Sequence, residues 1–368
     1  MTDSGEAKGA AALAAVEVRE RYARFAREEA PGRSDLYAEW AAGVAADPGV
    51  LRALAGLGAP HRQPPLVFAV SRMLGAPEGP YAGWAGFFRA HEGRIVAECA
   101  ARSVQTNEPL RCAPLVYALE RIPGPIALLE VGASAGLCLF PERYAYRFRA
   151  EPVGDGAEPP ALLAAGSVDT AARRRTAAES RSSAMGRGVE QPAFSSGSVR
   201  LEPELRGGLP APERLPDIVW RAGIDLEPRD ARDSADRAWI SGLVWPGEAE
   251  RAARIAAALD VAAADPPRIV RGDASEPGVL AALAAEAPAG TTLVVTTPGV
   301  LPHVPRTARE RLIAIIRGLD ARWVTLDSPR AHDAWTQPVG ADADGFVLAL
   351  DGEPIARADP LGGWIAPA

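Results

Sequence analysis

The stretch Ile126-Ala-Leu-Leu-Glu-Val-Gly-Ala-Ser-Ala-Gly-Leu137 decides the fold. Its apolar beginning, which ends in Glu130, is typical of a buried parallel strand, and the glycines that follow predict a tight turn. The residues from Ser134 to Phe140 then predict a helix. A strand, a glycine turn and a helix N-terminus together present free backbone N–H groups and a helix dipole to a ligand. The stretch therefore predicts a ligand site at the carboxyl end of this strand.

Three ligand chemistries compete for the glycine turn. The dinucleotide fingerprint G-x-G-x-x-G fails, because Ser134 and Leu137 occupy its second and third glycine positions. An acid followed by G-x-x-x-G, the S-adenosylmethionine turn of methyltransferases, is satisfied by Glu130, Gly132 and Gly136. The same turn is also a G-x-S-x-G nucleophile elbow with Ser134 at its centre. These few residues leave the last two chemistries open.

Composition and charge narrow the class of protein. A chain of 368 residues with 48% hydrophobic content is long enough for one large globular domain or two. A net charge of −7 argues against a nucleic-acid binder. The three cysteines and four histidines are scattered, so no metal site and no disulfide framework is predicted. No signal peptide or apolar run of ~20 residues is visible, and we expect a cytoplasmic protein without membrane contacts.

Two domains are predicted from the periodicity of apolar residues. Residues 1–121 read as an all-helical cap domain, because apolar side chains recur there at helical spacing. Strands and helices alternate over 122–368, which predicts a doubly wound, Rossmann-like, mostly parallel sheet with helices on both faces. A low-complexity insertion at about 151–216 interrupts this domain and is interpreted as partly disordered. Asp351-Gly352 between two apolar runs predicts a hairpin that forms an antiparallel edge of the sheet.

Acidic residues follow or end three of the predicted strands, at Glu130, Asp225 and Asp273. Ligands of such sheets bind at the carboxyl ends of the strands. In a nucleoside site the acid of the second strand binds the ribose hydroxyls, normally ~20 residues after the glycine turn, and the insertion accounts for the later position of Asp225. Asp273 is placed to accept a hydrogen bond from an adenine amino group. A helix cap explains each acid alone, but three at successive strand ends favour a nucleoside site.

A polar segment precedes the glycine turn and ends in Arg111. Capping of the next helix explains part of it, since Asn107 and Glu108 are good residues for a helix start. The segment holds more donors and acceptors than capping requires. Gln105, Asn107 and Arg111 are therefore predicted to orient a substrate, and Arg111 would suit a carboxylate or phosphate.

Several short motifs are specific in combination: Gln105-Thr-Asn-Glu108 with Arg111, Glu130 to Leu137, Glu142-Arg-Tyr144, Arg221 to Asp225, Trp239 with Leu243 to Pro246, and Gly272-Asp-Ala274. Over nearly the full chain they resemble a bacterial family, domain of unknown function 2332. The sheet is similar to that of class I S-adenosylmethionine-dependent methyltransferases. This resemblance implies cofactor contacts at the acids and turn residues named above: Glu130, Gly132, Ser134, Gly136, Asp225 and Asp273. Thr297 to His303 departs from the family pattern.

The favoured expectation is an S-adenosylmethionine-dependent methyltransferase that acts on a small molecule. His303, after the fourth predicted strand of the sheet, is the first candidate base, and Glu108 is the second. A serine hydrolase is the alternative, with Ser134 as nucleophile, Asp273 as orienting acid and His303 as base, in the chain order of that fold. An elbow normally follows several strands, however, and here only helices precede it. A nucleoside-binding protein without catalysis is the third hypothesis.

Overall fold

The computed structural model describes residues 3–150, 161–163, 199–337, 339–340 and 344–368, with the side chains of 3–11, 161–163 and 332 left out. Most of the predicted insertion therefore lies outside the described residues. The chain forms two compact units, one of residues 1–107 and 229–263 and the other of residues 108–228 and 264–368. The division differs from the predicted boundary at 121 in two ways. Residues 108–121 group with the sheet, and residues 229–263 group with the helices.

The first eight α-helices of the described chain are α1 (Asp3–Arg24), α2 (Asp35–Ala46), α3 (Pro48–Ala55), α4 (Pro64–Met73), α5 (Tyr81–Ala100), α6 (Cys112–Leu119), α7 (Ser234–Gly242) and α8 (Ala249–Ala264). All but α6 form the helical unit. Ser34 and Asp47 accept hydrogen bonds from the first backbone N–H groups of α2 and α3, as their residue types predict. No helix of the described residues is long and apolar enough to cross a bilayer.

An aromatic cluster forms the core of the helical unit. Phe68 lies at its centre and contacts the rings of Tyr22, Tyr37 and Trp40. Trp239 and Trp245, from the later part of the chain, are buried in the same core. Both tryptophans are therefore core residues of this unit. Their burial is the physical reason why residues 229–263 join the helical unit.

The second unit contains a large mixed sheet with β1 (Pro125–Val131), β2 (Ala145–Ala150), β3 (Ala161–Leu163), β4 (Arg200–Leu201), β5 (Glu204–Leu205), β6 (Asp217–Asp225), β7 (Arg268–Arg271), β8 (Thr292–Pro298), β9 (Arg322–Asp327), β10 (Phe346–Leu350), β11 (Glu353–Ala358) and β12 (Trp364–Ala366). The strand order is β3-β2-β5-β12-β11-β10-β9-β8-β1-β6-β7, with β4 beside β2. Strands β7, β6, β1, β8 and β9 are mutually parallel. A mixed α/β protein with a large, mostly parallel sheet is therefore confirmed.

The chain reverses its direction of travel across the sheet at β1. Among the parallel strands, β6 and β7 follow β1 in the chain and lie on one side of it, and β8 and β9 come next and lie on the other side. Leu129 and Val131 of β1 pack in one apolar cluster with residues of α9 (Val279–Ala284) and α10 (Arg306–Arg317). Helix α6 contacts β9 and β10 but adds no residue to that cluster, so α6 lies on the other face. Because side chains alternate along a strand, Glu130 points to the face of α6.

The predicted hairpin forms between β10 and β11, which pair antiparallel. Asp351 and Gly352 have φ angles of 54° and 83°, as a two-residue turn of this kind requires. Its predicted place at the edge of the sheet is wrong. Strand β12 pairs with β11 and β5 pairs with β12, so the sheet continues beyond the hairpin.

The helix predicted after the glycine turn is also wrong, because Leu137–Leu139 and Pro141–Arg143 form only two short 3₁₀ turns. Pro141 has no N–H group to donate to the Leu137 carbonyl, as an α-helix would require. That carbonyl accepts instead from the Tyr144 hydroxyl at 2.6 Å, and Arg221 Nη1 donates to the Leu139 carbonyl at 3.0 Å. Consequently no α-helix N-terminus follows the turn.

Candidate functional site

The three predicted acids follow a stepped line across the carboxyl ends of β1, β6 and β7. Glu130 lies opposite Gly223 in β6, and Asp225 comes two residues later on the same face. Asp225 lies opposite Arg271 at the end of β7, and Asp273 follows two residues further on. Glu130 and Asp225 therefore point to the same face of the sheet, and Asp273 lies two residues beyond the end of β7.

Glu130 is the most buried of these acids, with 3% of its surface exposed. Its Oε2 atom has no hydrogen-bond partner among the described residues. Burial raises the pKa of Glu130 well above its ordinary value, and the nearby Cys138 and Asp225 raise it further, whereas the Arg111 charge opposes them. A buried carboxyl oxygen without a donor favours binding of a ligand that brings one.

Both glycines of the turn have left-handed backbone angles, with φ of 75° at Gly132 and 73° at Gly136. A Cβ atom at Gly132 would lie 2.5 Å from Val300 Cγ2, and one at Gly136 would lie 2.8 Å from Pro267 Cγ. The Gly132 N–H donates to the Ile224 carbonyl at 2.8 Å. Close packing against the protein itself thus requires glycine at both positions, and Gly132 remains exposed at the surface.

Ser134 and Asp225 are joined directly. The Ser134 N–H donates to Asp225 Oδ2 at 2.7 Å, and the Glu227 N–H donates to Asp225 Oδ1 at the same distance. Ser134 itself has a φ of 49°, and its buried Oγ has no partner among the described residues. The carboxylate of Asp225 therefore fixes the glycine turn to the end of β6, and each of its oxygens keeps a further lone pair.

Asp273 is the exposed member of the set. Its Oδ1 accepts from the Ser275 N–H at 2.8 Å, which makes it the first residue of a local turn. The side chain is accessible from solvent and can accept a hydrogen bond from a ligand.

Glu108 and Arg111 are both buried in the sheet unit. Glu108 Oε1 accepts from the Leu110 N–H at 3.0 Å, so Glu108 is the N-cap of a short 3₁₀ turn at Pro109–Arg111. The Arg111 guanidinium donates to the carbonyls of Pro360 at 2.8 Å and Pro298 at 3.1 Å. Both side chains thus have structural contacts in addition to any role with a substrate.

His303 is exposed on the segment that follows β8. Partial desolvation by neighbouring protein atoms, followed by the charge of Arg111, lowers its pKa below the usual value for histidine. The imidazole is therefore neutral at pH 7 and able to accept a proton.

Gln105 and Asn107 belong to the helical unit, whereas the other predicted site residues belong to the sheet unit. Gln105 Oε1 accepts from Arg229 Nε at 2.9 Å, and Arg229 also pairs with Asp236. Asn107 is buried within its unit. Gln105 is thus held in a polar cluster together with Arg229 and Asp236.

Sequence reasoning missed Asp327, which ends β9 and is completely buried. Its Oδ1 accepts from the Leu301 N–H at 3.1 Å, and it also bonds the Val300 N–H and the Thr297 hydroxyl. Burial raises the pKa of Asp327 well above its usual range, against the effect of the Arg111 charge. The signal was present, because an apolar run ends in this acid just as one ends in Asp225.

No group of three or more His, Cys, Asp or Glu side chains in the described ranges is arranged to hold a metal ion. The candidate site therefore consists of carboxyl groups, a glycine turn and His303, near the carboxyl ends of the parallel strands.

Fold and site together define a mixed α/β protein with several acidic side chains at the carboxyl ends of its parallel strands. The chain belongs to a family of uncharacterized proteins conserved in bacteria (DUF2332), whose model matches residues 19–366. No curated protein and no solved structure matches the chain.

Proposed function

We propose that this protein is an S-adenosylmethionine-dependent methyltransferase that acts on a small molecule, built on a doubly wound, Rossmann-like sheet. The stepped line of Glu130, Asp225 and Asp273 is the observation that carries the proposal. These acids lie at the ends of three adjacent parallel strands, with the glycine turn beside the first.

The topology supports a nucleoside site at this edge. The chain reverses at β1, and ligands of open α/β sheets bind outside the carboxyl ends of strands at such a point. Helices pack on both faces of the parallel strands, as a doubly wound sheet requires.

In this proposal the three acids accept hydrogen bonds from an adenosyl ligand. Glu130 supplies a buried oxygen that lacks a donor among the described residues. Asp225 uses its second lone pairs for the ribose hydroxyls, and the exposed Asp273 accepts from the adenine amino group. Gly132 is exposed beside these acids, with Val300 packed against it.

In methyl transfer the protein mainly positions the two reactants and forms no covalent bond with them. When bound, S-adenosylmethionine supplies a methyl group on a sulfonium, which an acceptor nucleophile takes by in-line displacement as a neutral thioether leaves. His303 takes the proton of the acceptor, since its lowered pKa keeps it neutral at pH 7. Glu108, a capping residue with 1% exposure, is the weaker candidate for this role.

One observation favours the serine hydrolase as a second candidate. Ser134 has the left-handed backbone expected of a strained nucleophile elbow, and its Oγ has no partner among the described residues. Two observations oppose it. Only 3₁₀ turns follow Ser134, and the described residues contain no hydrogen bond between Ser134 and His303.

Thermal unfolding with added S-adenosylmethionine, together with fluorophosphonate labelling, separates the candidates. The methyltransferase hypothesis expects a rise in melting temperature, equivalent to about 2.7 kcal/mol at a ligand concentration 100-fold above Kd. It also expects no label, in the wild type or in Ser134→Ala. Labelling that Ser134→Ala abolishes, without a thermal shift, would establish the hydrolase instead. A shift without methyl transfer to any tested acceptor would favour the non-catalytic binding protein.

A further inference from the structure

The segment from Gly299 to His303, called here the β8 segment, is held by a buried carboxyl group. Asp327, at the end of the neighbouring strand β9, accepts from the Leu301 N–H at 3.1 Å and bonds the Val300 N–H as well. It is fully buried and also bonds the Thr297 hydroxyl at the end of β8. One side chain therefore binds two backbone amides after Gly299 and the Thr297 side chain before it.

Arg111 fixes the beginning of the same segment from the opposite side. Its Nη1 donates to the Pro298 carbonyl at 3.1 Å. Gly299 has a φ of 74°, and a Cβ atom there would lie 2.9 Å from the Arg111 guanidinium nitrogens. The Gly299 N–H donates to the Leu326 carbonyl at 2.7 Å. A larger residue than glycine cannot occupy position 299 while this packing is kept.

Val300 connects the β8 segment to the glycine turn. Its Cγ2 lies 2.5 Å from the place that a Cβ atom would take at Gly132. Val300 thus packs against the glycine turn at the carboxyl ends of β1 and β8. Its position depends on the backbone amides that Asp327 binds. Asp327 itself lies on the face of Thr325, opposite to the face of Glu130.

We propose that Asp327 is a positioning residue of the ligand site: it holds the Val300 and Leu301 amides so that Val300 packs on Gly132 and bounds the space beside the glycine turn. Asp327 does not touch the ligand. The inference rests on the proposed function only for the identity of that ligand as an adenosyl compound.

The protonation state of Asp327 decides which substitutions test the proposal. Its Oδ2 is buried, and burial raises the pKa of the group, which shifts it toward the neutral acid, against the effect of the Arg111 charge. Asparagine reproduces this neutral shape and keeps the Oδ1 acceptor, whereas alanine removes the acceptor. The pair Asp327→Asn and Asp327→Ala therefore separates the hydrogen bonds from the charge.

Asp351→Ala provides the control, because Asp351, in the turn between β10 and β11, binds a backbone N–H of the same strand, β9. Asp351 Oδ1 accepts from the Trp323 N–H at 2.8 Å, near the other end of β9. Its loss also removes a carboxyl group that holds a backbone amide of the sheet unit, but far along the strand from the β8 segment.

Two measurements test the proposal on the full chain: amide hydrogen exchange of the ligand-free protein, and calorimetric titration with S-adenosylhomocysteine. Asp327→Ala is expected to accelerate exchange at Val300 and Leu301 and to weaken binding by about tenfold, since small misplacements of a site are costly. Asp327→Asn should restore both properties, and Asp351→Ala should leave both unchanged.

The outcomes are distinguishable. Unchanged exchange at Val300 and Leu301 in Asp327→Ala, or equal acceleration in Asp351→Ala, overturns the positioning role. Wild-type affinity in Asp327→Ala also overturns it. If the wild type binds no S-adenosylhomocysteine, the proposed function fails, and the exchange data alone then decide whether Asp327 positions the segment.

Discussion

At the scale of single residues, two buried carboxyl groups give the site its character. Glu130 and Asp327 lie at the carboxyl ends of β1 and β9, and each keeps one oxygen without a hydrogen-bond partner among the described residues. Burial raises the pKa of both groups, and the Arg111 charge opposes this effect in both. Their behaviour should therefore be visible in the pH dependence of stability.

Burial raises the pKa of Asp327 above the unfolded value of about 4. The folded protein then binds this proton more tightly, so the stabilising contribution is complete below pH ~4 and is lost as the pH rises toward the folded pKa. Asp327→Asn removes this titration. We expect the free energy of unfolding of Asp327→Asn, relative to wild type, to increase as the pH rises above about 4. Denaturant unfolding across a pH series checks this, and a difference that falls with pH would contradict it.

Gly132 gives a second prediction at this scale. Gly132→Ala introduces left-handed strain of about 1–2 kcal/mol and, in addition, a clash with Val300. Gly124→Ala is the matched control, because Gly124 has a φ of 82° and nothing within 4 Å of its missing Cβ. Unfolding experiments should find Gly132→Ala the more destabilising of the two. In a double-mutant cycle, Val300→Ala should recover the additional loss of stability that Gly132→Ala shows over Gly124→Ala. If the effects of Gly132→Ala and Val300→Ala on the free energy of unfolding simply add, the contact is excluded.

At the scale of elements, the segment after the glycine turn is built by side chains from distant parts of the chain. Arg221 of β6 donates to the Leu139 carbonyl at 3.0 Å and to Glu142 Oε1 at 2.6 Å, and its guanidinium lies 4.5 Å from the Phe140 ring centroid. Tyr144 binds the Leu137 carbonyl. These contacts replace the backbone hydrogen bonds of a helix.

Arg221→Met tests this interpretation. It removes the closer arginine partner of the largely buried Glu142, at 2.6 Å, and leaves only the Arg143 contact at 3.4 Å, so we expect a loss of about 1–3 kcal/mol in the free energy of unfolding. Arg143→Met is the comparison variant, because Arg143 also lies over the Phe140 ring and contacts the same Glu142 oxygen, but only at 3.4 Å, and its pair with Asp265 is exposed and worth less than about 1 kcal/mol. Equal losses in denaturant unfolding would show that Arg221 has no special role.

The elements that sequence predicted well are those whose signal is local. Buried apolar runs located the parallel strands, and Asp351-Gly352 located the hairpin turn. The helix after Gly136 was wrong because its competitors, Tyr144 and Arg221, act through tertiary contacts. The bond between Ser134 and Asp225 spans 91 positions in the chain, so no local pattern contains it. Asp327, by contrast, directly follows a short, largely apolar run, so its signal was local and was not recognised.

At the scale of the whole molecule, the two units differ in what they offer to a ligand. The helical unit has an aromatic core and holds Gln105 in a polar cluster with Arg229 and Asp236. The sheet unit holds the acids, the glycine turn and His303. The order of parallel strands, reversed at β1, explains why residues as distant as Glu130 and Asp273 follow one stepped line.

The most direct test of the account is a calorimetric titration of the full chain with S-adenosylhomocysteine, repeated for Asp273→Asn and Asp233→Asn. Both aspartates are exposed and accept backbone N–H groups of a local turn, but Asp233 caps α7 in the helical unit. The account predicts saturable binding, weakened about tenfold by Asp273→Asn and unaffected by Asp233→Asn. No binding to the wild type at millimolar ligand, or equal affinity in all three proteins, would contradict it.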